Sequence, residues 1–494
     1  MIILKRWVVL FAGVIISFIL LITIPQERFI LSSISITAIA TLSIAYYLYK
    51  RYSKNITIQS DLVISANTLI QFLLPVFYLA FYYEAHSDIH TFDYRYGLAV
   101  TSFAVLLGQT MFFVGYESIK KSIYFPPVRI KEKSYFQLFL VFLPLLILVW
   151  ASRLTLLSTG TYYQSYRSDY QATALYSVFS LLDSYGLTIM GALFLVTFLE
   201  QRKKQRKEKL LIAITVLALE LLWYLPTGSR SPVACAVSAP IAAYILVKRK
   251  VPKKTLTVII IAAFLIFPIL DVYRYTISKY SQMSEINLKA SIAAFLEAKQ
   301  KQNERVTDST SLLIDRFYDG KWLGYLLTHY SQDYNWELGS TYKIIPFVFI
   351  PRLLYPNKPV FSFDMARWYR LVQGGAIPIT FWGEAYINFS WWGIIFVSYL
   401  LGLFMKGFDY IFIKRSHKPY WIYFYVYSVV YILLFPTQIA VIWVSFLTKV
   451  IILAFIFTQI DLILRRAVKR EQVLRRPGFT ETRNISKNET DPFG

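Results

Sequence analysis

The chain has 494 residues, 56% of them hydrophobic and 18% aromatic, and a formal net charge of +23. No soluble domain of this length is so apolar, so the composition excludes a soluble enzyme and predicts an all-α, polytopic membrane protein. A bilayer core about 30 Å thick needs about 20 apolar residues per helix, and that ruler predicts about twelve spans. They fall at about 7–24, 29–49, 62–83, 97–117, 136–156, 176–199, 210–226, 231–247, 255–273, 388–405, 420–436 and 439–459. The first run follows Lys5 and Arg6 without a small-residue cleavage site and turns through Pro25 to Arg28 into the next run, so it is expected to be a span and not a cleaved signal.

The basic residues set the orientation. Lys5/Arg6, Lys50/Arg51/Lys54, Lys120 to Lys133, RKKQRKEK at 202–209, KRKVPKK at 248–254, Lys414 to Lys418 and the tail from Arg465 all fall on one side of the predicted spans. Cytoplasmic loops carry such an excess, so both termini are expected inside. These clusters and Lys406 hold most of the 52 lysines and arginines. The charge is therefore a topology signal, of solvated loops near anionic lipid headgroups, and no nucleic-acid partner is implied. Residues 461–494 read as a basic cytoplasmic tail, disordered after Pro477.

Cys235, the single cysteine, lies in an apolar span and can form no internal disulfide. His86 and His90 share a short outer loop with Glu84, Asp88 and Asp93, a set that could ligate a divalent cation. Carboxylates and imidazoles at a wet membrane boundary need no such purpose, so no metal and no cofactor is assigned. No glycine-rich phosphate loop or zinc motif occurs.

The outer face is lopsided. Between a membrane domain of residues 1–273 and a second of residues 387–460 lies a segment of about 113 residues, 274–386, and long loops without purpose are uncommon. INLKASIAAFLEAKQK and SLLIDRFYDGKWLGYLLTHY carry apolar residues at helical spacing, so two amphipathic helices are expected on the bilayer surface or over the bundle. IIPFVFIPRLLYP, 344–356, is too short to span and is broken by prolines, which fits a re-entrant or interfacial segment. FDMARWYRLV then sets Asp364, Arg367 and Arg370 at steps of three along one side of a helix.

Arg230, in LPTGSRSPV, emerges between two spans on that same face. Arg153, Arg274, Arg316, Arg352, Arg367 and Arg370 are predicted there too, although short outer loops are usually poor in basic residues. Any one of them could snorkel or form an ion pair. Together they suggest a cationic cavity for a lipid bearing a phosphate or diphosphate, the group that a planar guanidinium binds bidentately. Glu220 and Lys449 are the main charges inside predicted spans, and a role in the bundle interior explains them as well as a translocation path does.

TGSRS, WELGSTYKIIPFVFIPRLLYPNKP and TFWGEAYINFSWWG, in that order, resemble the hallmark stretches of the Wzy family of O-antigen and capsular polysaccharide repeat-unit polymerases. The likeness extends to the architecture, with many helices, one large late outer loop and both termini inside. It implies glycosyl transfer between undecaprenyl-diphosphate-linked oligosaccharides on the outer leaflet, with a chain-length-regulating co-polymerase as a further expected partner. Arg230 and Arg352 then stabilise the leaving diphosphate, assisted by Lys358 and the other outer arginines. Glu384, in GEAY, is the expected general base toward the acceptor hydroxyl, with Asp364 and His329 in reserve. Two alternatives stay open on sequence: a lipid-linked oligosaccharide flippase, which should show internal repeats and mid-depth polar residues, and an O-antigen ligase, which shares the chemistry.

Overall fold

The computed structural model describes residues 2–53, 59–85, 95–119, 144, 146–156, 158, 185–200, 202–224, 230–248, 250–258, 296, 318, 320–333, 335–347, 350, 355 and 379–414, with isolated positions beyond. The chain divides into two compact units, Met1–Ser445 and Phe446–Gly494. Every element below belongs to the first; the second contributes single described positions such as Phe455 and Leu462.

Among the described residues the secondary structure is helical throughout. The helices are α1 (Ile2–Thr23), α2 (Phe29–Tyr52), α3 (Ser60–Thr68), α4 (Leu74–Ala85), α5 (Arg95–Ser118), α6 (Leu146–Leu156), α7 (Tyr185–Leu199), α8 (Lys203–Tyr224), α9 (Arg230–Lys248), α10 (Gly320–Asp333) and α11 (Phe381–Lys414). A π-helical turn, Leu69–Leu73, joins α3 to α4, so the two form one apolar rod. Among the described residues, five stretches are long and apolar enough to cross a membrane: Arg6–Thr23, Phe29–Tyr52, Ser60–Phe81, Gly97–Ser118 and Phe381–Phe412. Parts of the spans predicted at 136–156, 176–199, 210–226 and 231–247 are also helical, whereas those at 255–273, 420–436 and 439–459 fall largely outside the described residues.

α5 is the central strut, packing along α2, α10 and α11. Small residues let it approach α11 closely: a Cβ on Gly115 would collide with the Tyr399 carbonyl, and one on Gly402 with the Phe112 carbonyl. Ile36, Ala99 and Phe103 form the core nearby, covered by Val14, Leu107 and Trp391. The apolar side chains turned outward, such as Ile15, Phe18, Leu42, Phe396 and Phe404, are the natural complement of lipid and not a folding defect.

One end of this bundle is closed by buried charge. The Arg51 guanidinium binds Asp61 at 2.7 Å and Glu117 at 2.6 Å, and Arg6 binds the other oxygen of Glu117 at 2.7 Å. Asp409, fully buried, accepts hydrogen bonds from the Ser60 amide at 3.0 Å, the Ser60 hydroxyl at 2.8 Å and the hydroxyls of Tyr116 and Tyr425. Lys406 lies over the Tyr116 ring at 4.7 Å. This corrects the reading of Lys5/Arg6 and Lys50/Arg51 as wholly solvated clusters: the side chains of Arg6 and Arg51 are each 14% exposed. Charges so far from water persist only when paired and hydrogen-bonded.

A second pack comprises α7, α8 and α9. It draws in α6 through Arg153, whose guanidinium donates to both carboxylate oxygens of Glu220 at 2.8 and 2.7 Å, with both side chains fully buried. Trp150, Trp223 and Tyr224 box the cation at 5.0, 5.1 and 5.5 Å. Arg153 and Glu220 are thus two halves of one buried salt bridge, although they suggested separate roles in the sequence.

Candidate functional site

The residues of the aromatic motif at 380–393 form the start of α11, not the loop before it. Thr380 caps the helix: its hydroxyl accepts from the Gly383 amide at 3.1 Å and its carbonyl from the Glu384 amide at 3.0 Å. Glu384 therefore stands in the first turn, where unpaired amides favour an anion, and it is fully buried. Ala385 to Asn388 are buried with it. The helix then breaks at Phe389 (φ −143°, ψ 19°) and Ser390 (φ 57°, ψ −150°) before resuming at Trp391. An α11 starting at Phe381 replaces the span start expected near 388.

The WELGSTY stretch folds onto this short arm. The Glu337 amide donates to the Ile387 carbonyl at 2.9 Å, and Trp336 meets Tyr386 edge to face at 5.4 Å. Leu338 (φ 45°) and Gly339 (φ 84°) turn the chain into the 3-10 segment Ser340–Phe347. Asn388 fastens the two pieces together. Its amide nitrogen donates to the Thr341 hydroxyl and to the Glu384 carbonyl, both at 2.7 Å, while its oxygen accepts from the Gly339 amide at 2.9 Å. A fully buried amide with three bonds fixes the turn at 339–341 one helical turn from Glu384.

The next residue, Tyr342, stacks on Phe389 at 6.2 Å and 15°. Burial pushes its phenol well above the ordinary tyrosine range, and the negative charge of Glu384 adds to the effect. Leu338 and Ser390, the non-glycine residues with positive φ among those described, both belong to this site. A non-glycine residue near Ser390's conformation costs about 1–3 kcal/mol, and such strain gathers at functional sites.

α10 completes the surroundings. It carries the helical half of the second predicted amphipathic segment, with Leu323, Leu326, Leu327 and Tyr330 buried, and it packs over α5 and α11. The Tyr386 hydroxyl donates to the Leu327 carbonyl at 3.4 Å. His329 lies on the other, half-exposed face, stacked on Tyr325 at 4.3 Å with Nδ1 2.7 Å from the Thr328 hydroxyl. No hydrogen bond or ring contact joins it to Glu384 among the described residues.

Of the residues singled out from sequence, the structure thus places Glu384 at the centre, His329 on a neighbouring helix face and Arg153 in its salt bridge with Glu220. Arg230 is the first residue of α9. Arg274, Arg316, Arg352, Lys358, Asp364, Arg367 and Arg370 lie outside the described residues, as do His86, Asp88, His90 and the amphipathic segment at 286–301, save position 296. Sequence reasoning missed Asn388, Thr341 and Tyr342. The usable signal was polar residues held within aromatic stretches that already stood out as motifs.

Two stretches some 40 residues apart, each noted for its resemblance, thus meet in one frame around a buried glutamate. No match emerges among curated proteins or among solved structures. The family profile described as "O-antigen polysaccharide polymerase Wzy" matches residues 5–467, nearly the whole chain. With its apolar helices and this extent of match, the chain belongs to the Wzy family of O-antigen polysaccharide polymerases, multi-pass membrane proteins of polysaccharide biosynthesis.

Proposed function

We propose that this protein joins undecaprenyl-diphosphate-linked oligosaccharide repeat units at the outer leaflet of the bacterial cytoplasmic membrane. The growing glycan moves from its carrier to a hydroxyl of an incoming lipid-linked unit, and both termini face the cytoplasm. Glu384 is the general base that takes the acceptor proton. The observation that carries this reading is the placement of Glu384: fully buried, in the first turn of α11, and braced through Asn388 by the motif turn at 339–341. A site of this kind holds a carboxylate in one position while keeping bulk water from the acceptor, which suits proton abstraction from a poorly acidic hydroxyl.

Arg230 and Arg352 bind the lipid diphosphate and offset the charge that develops on it as the glycosyl bond breaks. Lys358, Arg274, Arg316, Arg367 and Arg370 add positive potential around the headgroup, and Asp364 and His329 line the glycan path. Arg153 has no part in this binding, because its fork is committed to Glu220. A chain-length-regulating co-polymerase is the expected protein partner.

The test is polymerisation of purified lipid-linked repeat units by Glu384→Gln. This change keeps the shape and removes the basicity, so elongation should fall roughly a hundredfold to ten-thousandfold with normal insertion in the membrane. Long chains made at the parent rate would remove Glu384 from the chemistry.

A further inference from the structure

We propose that Tyr342 is a second catalytic residue of the acceptor site, its phenolic hydroxyl donating a hydrogen bond to the same sugar hydroxyl that yields its proton to Glu384. This rests on the reading of Glu384 as the base.

Three observations converge on it. Tyr342 directly follows Thr341, which Asn388 ties to the helix arm of Glu384. The ring is held by stacking on Phe389, at the strained break of α11. The hydroxyl oxygen is shut away from solvent, yet it finds no hydrogen-bond partner among the described residues. It therefore lies beyond hydrogen-bond reach of the Glu384 carboxylate, although that charge is close enough to be felt at the phenol. The tyrosines at the other end of the bundle behave otherwise: the hydroxyls of Tyr47, Tyr52 and Tyr116 each donate to a carboxylate. Native proteins leave few buried hydroxyls unmatched, and an exception calls for a ligand or a functional reason.

A sugar hydroxyl has the chemistry to answer both groups at once. Such a hydroxyl has one proton to give and two lone pairs. The proton points to Glu384, one lone pair accepts from Tyr342, and the other is aimed at the anomeric carbon of the donor. The acceptor oxygen then forms its bond to that carbon as the bond from the carbon to the diphosphate oxygen breaks. The bonding pair leaves with the lipid diphosphate, and the acceptor proton ends on Glu384. Tyr342 keeps its own proton throughout, as a phenol raised by burial and by a neighbouring carboxylate would.

The experiment uses the full-length protein with purified lipid-diphosphate-linked repeat units. Tyr342→Phe deletes the hydroxyl and nothing else. Turnover should fall about tenfold to a thousandfold, as when one donor is removed from a site of developing charge, with little change in KM for the acceptor. Thermal stability should be unchanged or higher, because the lost hydroxyl had no protein partner to forsake. Parent-rate turnover would overturn the proposal, and so would a loss of thermal stability that accounts for the lost activity, since the hydroxyl would then be structural. Glu384→Gln run alongside separates the two readings. Activity in that variant would sink the base assignment and the proposal with it, whereas an inactive Glu384→Gln beside a fully active Tyr342→Phe would sink the tyrosine role alone.

Discussion

The two ends of the bundle bury polar groups in opposite ways. Around Arg51, the carboxylates of Asp61, Glu117 and Asp409 are met by guanidinium groups or hydroxyls on helices from across the chain, and the chain keeps to ordinary helical geometry. Around Glu384 the backbone is bent into left-handed conformations at Leu338, Gly339 and Ser390, and the hydroxyl of Tyr342 is buried unmatched. A network in which each buried carboxylate finds its counter-charge or hydroxyl within the protein chiefly specifies the fold. Where the frame is rigid but a polar group stays unmatched, stability has been given up for something outside the chain.

If that division is right, damage to the two ends should read out differently. The largest stability effect is expected from Arg51→Ala, which strips the buried Asp61 of its guanidinium partner and leaves Glu117 to Arg6 and Tyr47. A loss of about 3–5 kcal/mol should appear as poor membrane yield and early thermal unfolding, while the molecules that do fold retain parent turnover. Lost turnover with unchanged stability would mean that the Arg51 end takes part in function.

Asn388→Ala should do less to stability and more to chemistry. It abandons the Gly339 amide and the Thr341 hydroxyl, a cost of about 1–3 kcal/mol, and it frees the turn that carries Tyr342. Polymer yield per folded molecule should drop well beyond what the stability change explains. A variant with normal chain synthesis would show that the brace is structural only.

The smallest change should be a gain. Ser390→Gly relieves a conformation that a side chain tolerates poorly, and a rise of about 1 kcal/mol in unfolding stability is expected, with the site's geometry kept. A loss of stability would show that the break carries no strain.

How much of this was legible in the sequence follows from the range of each interaction. Hydropathy located α2 and α5 almost to the residue, because partition into lipid is decided by a local run of side chains. It set the start of α11 too late, because a helix whose first turns hold Glu384 and Asn388 does not look like a span. The partners of Arg6, Arg51 and Arg153 were invisible for another reason: Glu117 is 66 residues from Arg51, and Glu220 is 67 from Arg153. A basic residue near a span end looks the same whether its counter-charge is a lipid phosphate or a distant carboxylate. Glu384 stood out as a candidate because a carboxylate within an aromatic motif is conspicuous, whereas Asn388 and Tyr342 become candidates only when the two motifs are seen to touch.

The break at Ser390 also divides the labour within α11. From Trp391 to Lys414 roughly 24 residues at 1.5 Å each give roughly 36 Å of helix, enough to cross a hydrocarbon core of about 30 Å without help from the arm before it. The arm at 381–388 is thereby released from the demand for lipid solubility. Tolerance to substitution should change character at this one point. Past it, one greasy side chain can stand in for another; ahead of it, each position answers to the neighbour it touches, so the arm can change its contacts while the membrane anchor stays as it is.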